Sequence, residues 1–158
     1  MRLTPDMQRV VTEQRLGFYA TVCADGTPNL SPKGTTAVYD DRSLMFLELR
    51  SPGTLANLAE RPHVEVNVLD VLTRTGYRFK GTAEIHRAGE VFERGLAIAR
   101  EIDFGIDLGR VGAVVRILVE SAAPLTSPAY DEGATEAALV THYRDRFARL
   151  AEERLRVD

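Results

Sequence analysis

Along residues 16–23, Phe18, Ala20 and Val22 alternate with Tyr19, Thr21 and Cys23. That is the two-residue period of a β-strand whose faces meet different surroundings. Asp25-Gly26 follows as a hairpin signal, and residues 28–39 return as a second strand. Asp40-Asp41-Arg42-Ser43 turns the chain into a third, 44–49. These three read as an antiparallel meander. Farther on, Val64, Val66 and Val68 alternate with His63, Glu65 and Asn67. Tyr77, Phe79, Gly81, Ala83 and Ile85 oppose Arg78, Lys80, Thr82, Glu84 and His86. A last strand, 112–125, carries Val114, Val115, Ile117 and Val119. Gly81 in mid-strand predicts a bulge or a close backbone approach.

Helical spacing marks four other segments. Thr4 caps a helix over 4–14, with Pro5 at its first position and Met7, Val10 and Val11 on one face. A short helix starts at Pro52, and a third covers 88–102 with Val91, Leu96 and Ala99 inward. Leu139, Tyr143, Phe147 and Leu150 form the apolar stripe of a C-terminal amphipathic helix at about 133–155. Six antiparallel strands with short helices predict a mainly β fold, a closed or nearly closed barrel, in one domain spanning 1–158. No G-x-G-x-x-G follows a strand, so a dinucleotide fold has no support.

Composition narrows the function. The chain has 158 residues, 44% apolar and 27% charged, as in ordinary globular domains. A formal net charge of −3 provides no field for nucleic acid. No apolar run is long enough to span a bilayer, and the N-terminus lacks a signal-peptide core, so a cytoplasmic location is expected. Cys23 is the only cysteine and reads as a small strand hydrophobe. His63, His86 and His142 have no metal-ligand spacing, and no G-x-S-x-G nucleophile motif is present.

The candidate chemistry lies in residues 46–62, where an apolar strand runs into Arg50-Ser51-Pro52-Gly53-Thr54 and a helix. Pro52 suits the first helical turn, and the free N–H groups and dipole of that turn favour an anion. Arg50 offers a permanently charged fork, Ser51 and Thr54 hydroxyls. The plain alternative is an ordinary cap with Ser51 closing the helix and Arg50 in solvent. No side chain stands out as a general acid or base.

The order strand, D-G turn, S-P-K-G strand, F-L-E-L-R-S-P-G-T-L-A-N-L, R-P, alternating strand, then Y-R-F-K-G-T-A resembles the pyridoxamine 5′-phosphate oxidase-like flavoproteins over about residues 8–125. The resemblance implies a split β-barrel of the FMN-binding type. It also implies a homodimer with FMN in clefts at the interface and oxidoreductase activity by hydride transfer at flavin N5. By the same resemblance Ser31, Pro32, Lys33 and Gly34 lie along the flavin ring, and Leu47 and Glu48 under the ribityl chain. Arg50, Ser51 and Thr54 match the phosphate positions, with Asn57 one helical turn on. Arg78 and Lys80, with Arg74 shortly before, read either as a solvated strand face or as a positive lining of the cleft. Tyr130 reaches the partner's cleft or packs on its own barrel. The parent oxidase has a basic pair where this chain has Gly53 and Thr54, and its substrate-binding C-terminus is replaced, so pyridoxamine oxidation is not implied. The substrate stays open, with a nicotinamide donor as one candidate. The alternatives are a deazaflavin coenzyme on an extended basic groove and a non-enzymatic protein that binds or sequesters FMN.

Overall fold

The run 28–39, expected as one strand, is two, and the interruption organises the fold. In the computed structural model, which describes residues 1–156, β1 (Gly17–Val22) pairs with β2 (Pro28–Lys33) and β3 (Ala37–Asp40) pairs with β4 (Ser43–Glu48). The other strands are β5 (His63–Asp70), β6 (Thr75–His86) and β7 (Ala113–Thr126). Every pairing is antiparallel, in the order β2-β1-β5-β6-β7-β4-β3. Strands β2 and β3 are therefore opposite edges of one seven-stranded sheet, although only residues 34–36 separate them. The sheet must curl until those edges approach, which makes the split barrel.

Seven strands replace the expected six, and two separate hairpins replace the expected meander, because β4 pairs with β7 and not with β2. Threonine chemistry makes the break. The Thr35 hydroxyl donates to the Leu47 carbonyl at 3.2 Å and accepts from the Leu47 N–H at 3.0 Å, standing in for a neighbouring strand's backbone. The Thr36 hydroxyl donates to the Lys33 carbonyl at 2.8 Å. Such local bonds compete with a continuous ladder, and alternation alone does not reveal them.

Tyr19, Leu44, Phe46, Val66, Val68, Phe79, Val115, Ile117 and Val119 fill the barrel and are completely or almost completely buried. Each contributes about 1.5–3 kcal/mol by leaving water. Tyr19 meets Phe46 edge-on at 4.8 Å, and its hydroxyl lies 3.2 Å from that of Thr36, so the aromatic core is tied to the break. Helix α1 (Pro5–Gln14) adds Met7, Val10 and Val11 to this core, with Thr4 capping it as expected. Helix α2 (Pro52–Glu60) adds Leu55 and Leu58. On the other side of β3 and β4, α3 (Glu90–Ile102) packs Ala99 into a second cluster with Tyr39, Met45, Leu47 and Val114. At Gly81 both expected features occur: the β6–β7 register shifts there, and a Cβ would overlap the Leu118 carbonyl oxygen.

Helix α4 (Glu136–Leu155) buries no residue fully. One of its contacts is through Tyr143, whose ring centre lies 4.0 Å from the Arg74 guanidinium at the β5–β6 turn. Among the described residues no helix is long and apolar enough to cross a membrane.

Candidate functional site

Strand β4 ends at Glu48, and α2 begins at Pro52, so Leu49, Arg50 and Ser51 turn the chain between them. Ser51 occupies the N-cap position but makes no side-chain capping bond to the helix. Its hydroxyl and its backbone N–H both donate to the Glu48 carboxylate, while its oxygen accepts from the Lys33 ammonium. Lys33 comes from the end of β2, the opposite edge of the sheet. A serine thus bridges an ion pair whose members are nearly enclosed: Lys33 is 7% and Glu48 6% exposed. The Lys33 ammonium also lies 5.2 Å from the centroid of the Phe46 ring. Burial pushes Lys33 below the ordinary lysine value, and the Glu48 charge opposes that shift.

Lys33 and Ser51 line a cavity of about 460 Å³. Its floor is the β2 segment Ser31, Pro32 and Lys33 with Gly34 and Thr35; Leu47, Leu49, Arg50 and Ser51 form the side toward α2. Arg50 is exposed and makes no hydrogen bond or ion pair within the described residues. The third wall, Phe104 and Ile106, was not foreseen. It comes from the connection after α3, where Asp103 and Gly105 take left-handed backbone, with φ of 51° and 68°. The available signal was an apolar pair flanking a glycine in a connection that otherwise reads as solvated charge.

Of the residues singled out from the sequence, Ser31, Pro32, Lys33, Gly34, Leu47, Arg50 and Ser51 line this cavity, and Glu48 is bonded at its edge. The other four lie elsewhere in the chain. Thr54 is buried on α2. Asn57 donates to the Thr21 hydroxyl at 3.0 Å and lies 3.6 Å from the Cys23 sulfur, fastening α2 to β1. Arg78 and Lys80 stand on the outer sheet face, paired with Glu65 at 2.9 and 3.4 Å. Tyr130 donates to the Thr73 carbonyl of its own β5–β6 turn at 2.7 Å. No cluster of three metal-ligating side chains occurs among the described residues.

Chemically, the cavity offers two cations, Lys33 and Arg50, and three hydroxyl side chains, Ser31, Thr35 and Ser51, the last at the N-cap of α2. Extended backbone and apolar side chains form the rest. The sequence model of the family described as pyridoxamine 5′-phosphate oxidase matches residues 3–116. HupZ of Group A Streptococcus is 32% identical with a TM-score of 0.69, over 79% of this chain and 95% of that one. An FMN-binding protein of Syntrophomonas wolfei shares the fold at 15% identity and a TM-score of 0.62, over 77% and 86%. HutZ, the haem storage protein of Vibrio cholerae, shares it at 22% and 0.60, over 80% and 95%. No sequence among the curated proteins matches the chain.

Proposed function

The chain belongs to the pyridoxamine 5′-phosphate oxidase family, and we propose that it is a cytoplasmic, FMN-dependent oxidoreductase. In this reading residues 1–158 are one flavin-binding domain, and the working unit is a homodimer. One observation carries it: Lys33, Arg50 and Ser51, the last two at the turn into α2, line one cavity together with the β2 backbone and the apolar Leu47, Leu49, Phe104 and Ile106. Those three polar residues suit a phosphate monoester, because ionised donors and helix N–H groups bind anions strongly. The remainder suits a flat, largely apolar ring. Nothing lies within 4 Å of where a Gly34 Cβ would stand, so that stretch of backbone is open to a ring face.

FMN, when bound, supplies two-electron chemistry at its ring. The chain's residues bind, orient and tune. Arg50 and the helix start hold the phosphate. Lys33 adds a second positive charge for that phosphate. Phe104 and Ile106 keep water from the third side. The charged groups at the cavity, Lys33, Glu48 and Arg50, do not form an acid–base pair aimed at a substrate, so rate enhancement rests on positioning and electrostatics.

The outer face of β1 and β2 supports the homodimer. Phe18, Val22 and Leu30 are 41%, 43% and 64% exposed there. Opposite Phe18, the buried Oδ1 of Asn67 has no hydrogen-bond partner among the described residues. A second copy covers this apolar strip and supplies that partner. Arg78 and Lys80 lie on the same face, so the dimer brings them toward the partner's cavity. A deazaflavin coenzyme, with its longer acidic tail, needs those cations free, whereas Glu65 pairs with both.

The second reading is binding without turnover. The missing acid–base pair favours it, and HutZ, named for haem storage, gives a precedent within the fold. The test is to titrate the protein with FMN, riboflavin, a deazaflavin coenzyme and haemin, following absorbance and flavin fluorescence. A nicotinamide donor is then added. Expected are tighter binding of FMN than of riboflavin, and bound flavin reduced faster than free flavin. No uptake of FMN overturns the flavin reading. Uptake without accelerated reduction by any nicotinamide or deazaflavin donor favours the carrier.

A further inference from the structure

The hydroxyl of a serine at an N-cap normally closes the helix by accepting from the second or third helical N–H. Ser51 does not. Its hydroxyl proton is given to Glu48, and its oxygen is taken by Lys33. The N–H groups of Gly53 and Thr54, at the second and third positions of α2, are left without a capping side chain. Glu48 also takes the Ser51 N–H. A carboxylate therefore sits where the proposed phosphate would be bound, collecting the donors a phosphate would collect.

We propose that Glu48 is an internal occupant of the phosphate subsite, a carboxylate latch that an incoming phosphate monoester must displace. The inference rests on the FMN reading of the cavity. It follows from charge and position together. Lys33 already has Glu48 as counter-charge through Ser51, whereas Arg50 is exposed and has no partner within the described residues. An arriving dianion meets Arg50 first. It gains Lys33 and the two donors of Ser51 only when the carboxylate leaves them. A neutral ligand such as riboflavin has no group to exchange for Glu48 and leaves the latch closed. The latch thus sets selectivity: it lowers affinity for every anion and admits those whose charge and oxygen count exceed those of one carboxylate. A phosphate monoester, with two charges and three terminal oxygens, meets that condition; a monocarboxylate does not.

The test is Glu48→Gln, which keeps the size and an acceptor oxygen but removes the charge. FMN and riboflavin dissociation constants are measured for both proteins by flavin fluorescence quenching. The expected result is FMN binding tightened by about tenfold, equivalent to ~1.4 kcal/mol, with riboflavin unchanged. Acetate, added as a competitor, displaces FMN poorly from the parent protein and more readily from Glu48→Gln. Glu48→Asp, which withdraws the carboxylate by one methylene, tightens FMN to a smaller extent and serves if the glutamine variant does not fold. Equal or weaker FMN binding by the folded variants, with the parent binding FMN, overturns the latch alone. A parent that binds no FMN overturns the cofactor reading and the latch with it.

Discussion

The bridged pair Lys33–Ser51–Glu48 predicts a specific pattern of stability, independent of any cofactor. Removing one member of a buried ion pair costs about 3–5 kcal/mol, because the other charge is left without compensation. Lys33 lines the cavity, so water reaches the site and the figure falls to about 2 kcal/mol for Lys33→Met. The methionine keeps the apolar stem, and its sulfur on the Phe46 ring replaces much of the ammonium–ring attraction, each being worth about 0.5–1 kcal/mol. Glu48→Gln should cost less, about 1 kcal/mol, since the amide oxygen still accepts from Ser51 and the lysine can turn into the cavity. The double variant should also lie near 1 kcal/mol below the parent, well short of the additive value of about 3 kcal/mol, because no charge is then stranded. Urea unfolding of the flavin-free proteins at constant slope measures all four corners of the cycle. The pH dependence of stability is a second readout. Lys33 titrates below the ordinary lysine value in the fold, so between the two values the unfolded chain binds more protons, and parent stability rises with pH. Lys33→Met should lack that rise. Additivity within about 0.5 kcal/mol would show that the two charges do not depend on each other.

Arg50→Ala should weaken FMN by about 1.5 kcal/mol, the lower end for a hydrogen bond to a charged group at an exposed residue, and leave riboflavin unaffected by calorimetry. Lys33→Met should weaken FMN more than riboflavin in the same titration, since the ammonium is one of the donors a phosphate would take. Leu30→Lys puts a charge in the exposed strip of β1 and β2, and light scattering should then report a monomer where the parent is a dimer. Asp6 accepts from the Tyr77 hydroxyl at 2.6 Å and from Arg9, which hold it below the usual carboxylate value. Its contribution is present above the unfolded value and lost as pH falls through the folded one, so Asp6→Asn should flatten the acid limb of the stability profile.

Much of the architecture was legible because barrel strands half-buried on one face repeat every two residues. Val64, Val66 and Val68 on β5 and Tyr77, Phe79 and Ala83 on β6 announce both element and inner face. Thr4 and Pro5 announce the start of α1 just as directly. The break at 34–36 was not legible, since Gly34-Thr35-Thr36 continues a strand-like composition and its cause is a side-chain bond to Leu47, distant in sequence. At the site, the motif order pointed to Lys33, Arg50 and Ser51, and the fold brings all three to one cavity. Thr54 and Asn57, grouped with them by position along α2, are outside the lining of that cavity. Helical spacing says which residues share a face and not what that face meets, and here Asn57 meets Thr21. Phe104 and Ile106 escaped because no periodicity governs a connection.

The break and the cavity are one feature. A continuous strand over 28–39 would carry Lys33 and Leu47 along the same sheet, with their backbone groups spent on ladder bonds. Ending β2 at Lys33 frees the chain to cross to the other edge, and Thr35 then satisfies Leu47 with its hydroxyl. The crossing places Lys33 against Ser51, and through it Glu48, at the end of the strand Thr35 has joined. It also leaves Ser31 to Gly34 without a neighbour on one side, as bare backbone along the cavity floor. The cation facing the start of α2 is therefore delivered by barrel closure and not by the helix. That accounts for a helix start that carries Gly53 and Thr54 and no basic pair, yet still has a second positive charge beside Arg50. A substitution that healed the break, such as Thr35→Val, would remove both bonds to Leu47 and loosen Lys33 at the same time. Stability and anion binding should fall together in that variant, whereas Arg50→Ala should reduce anion binding alone.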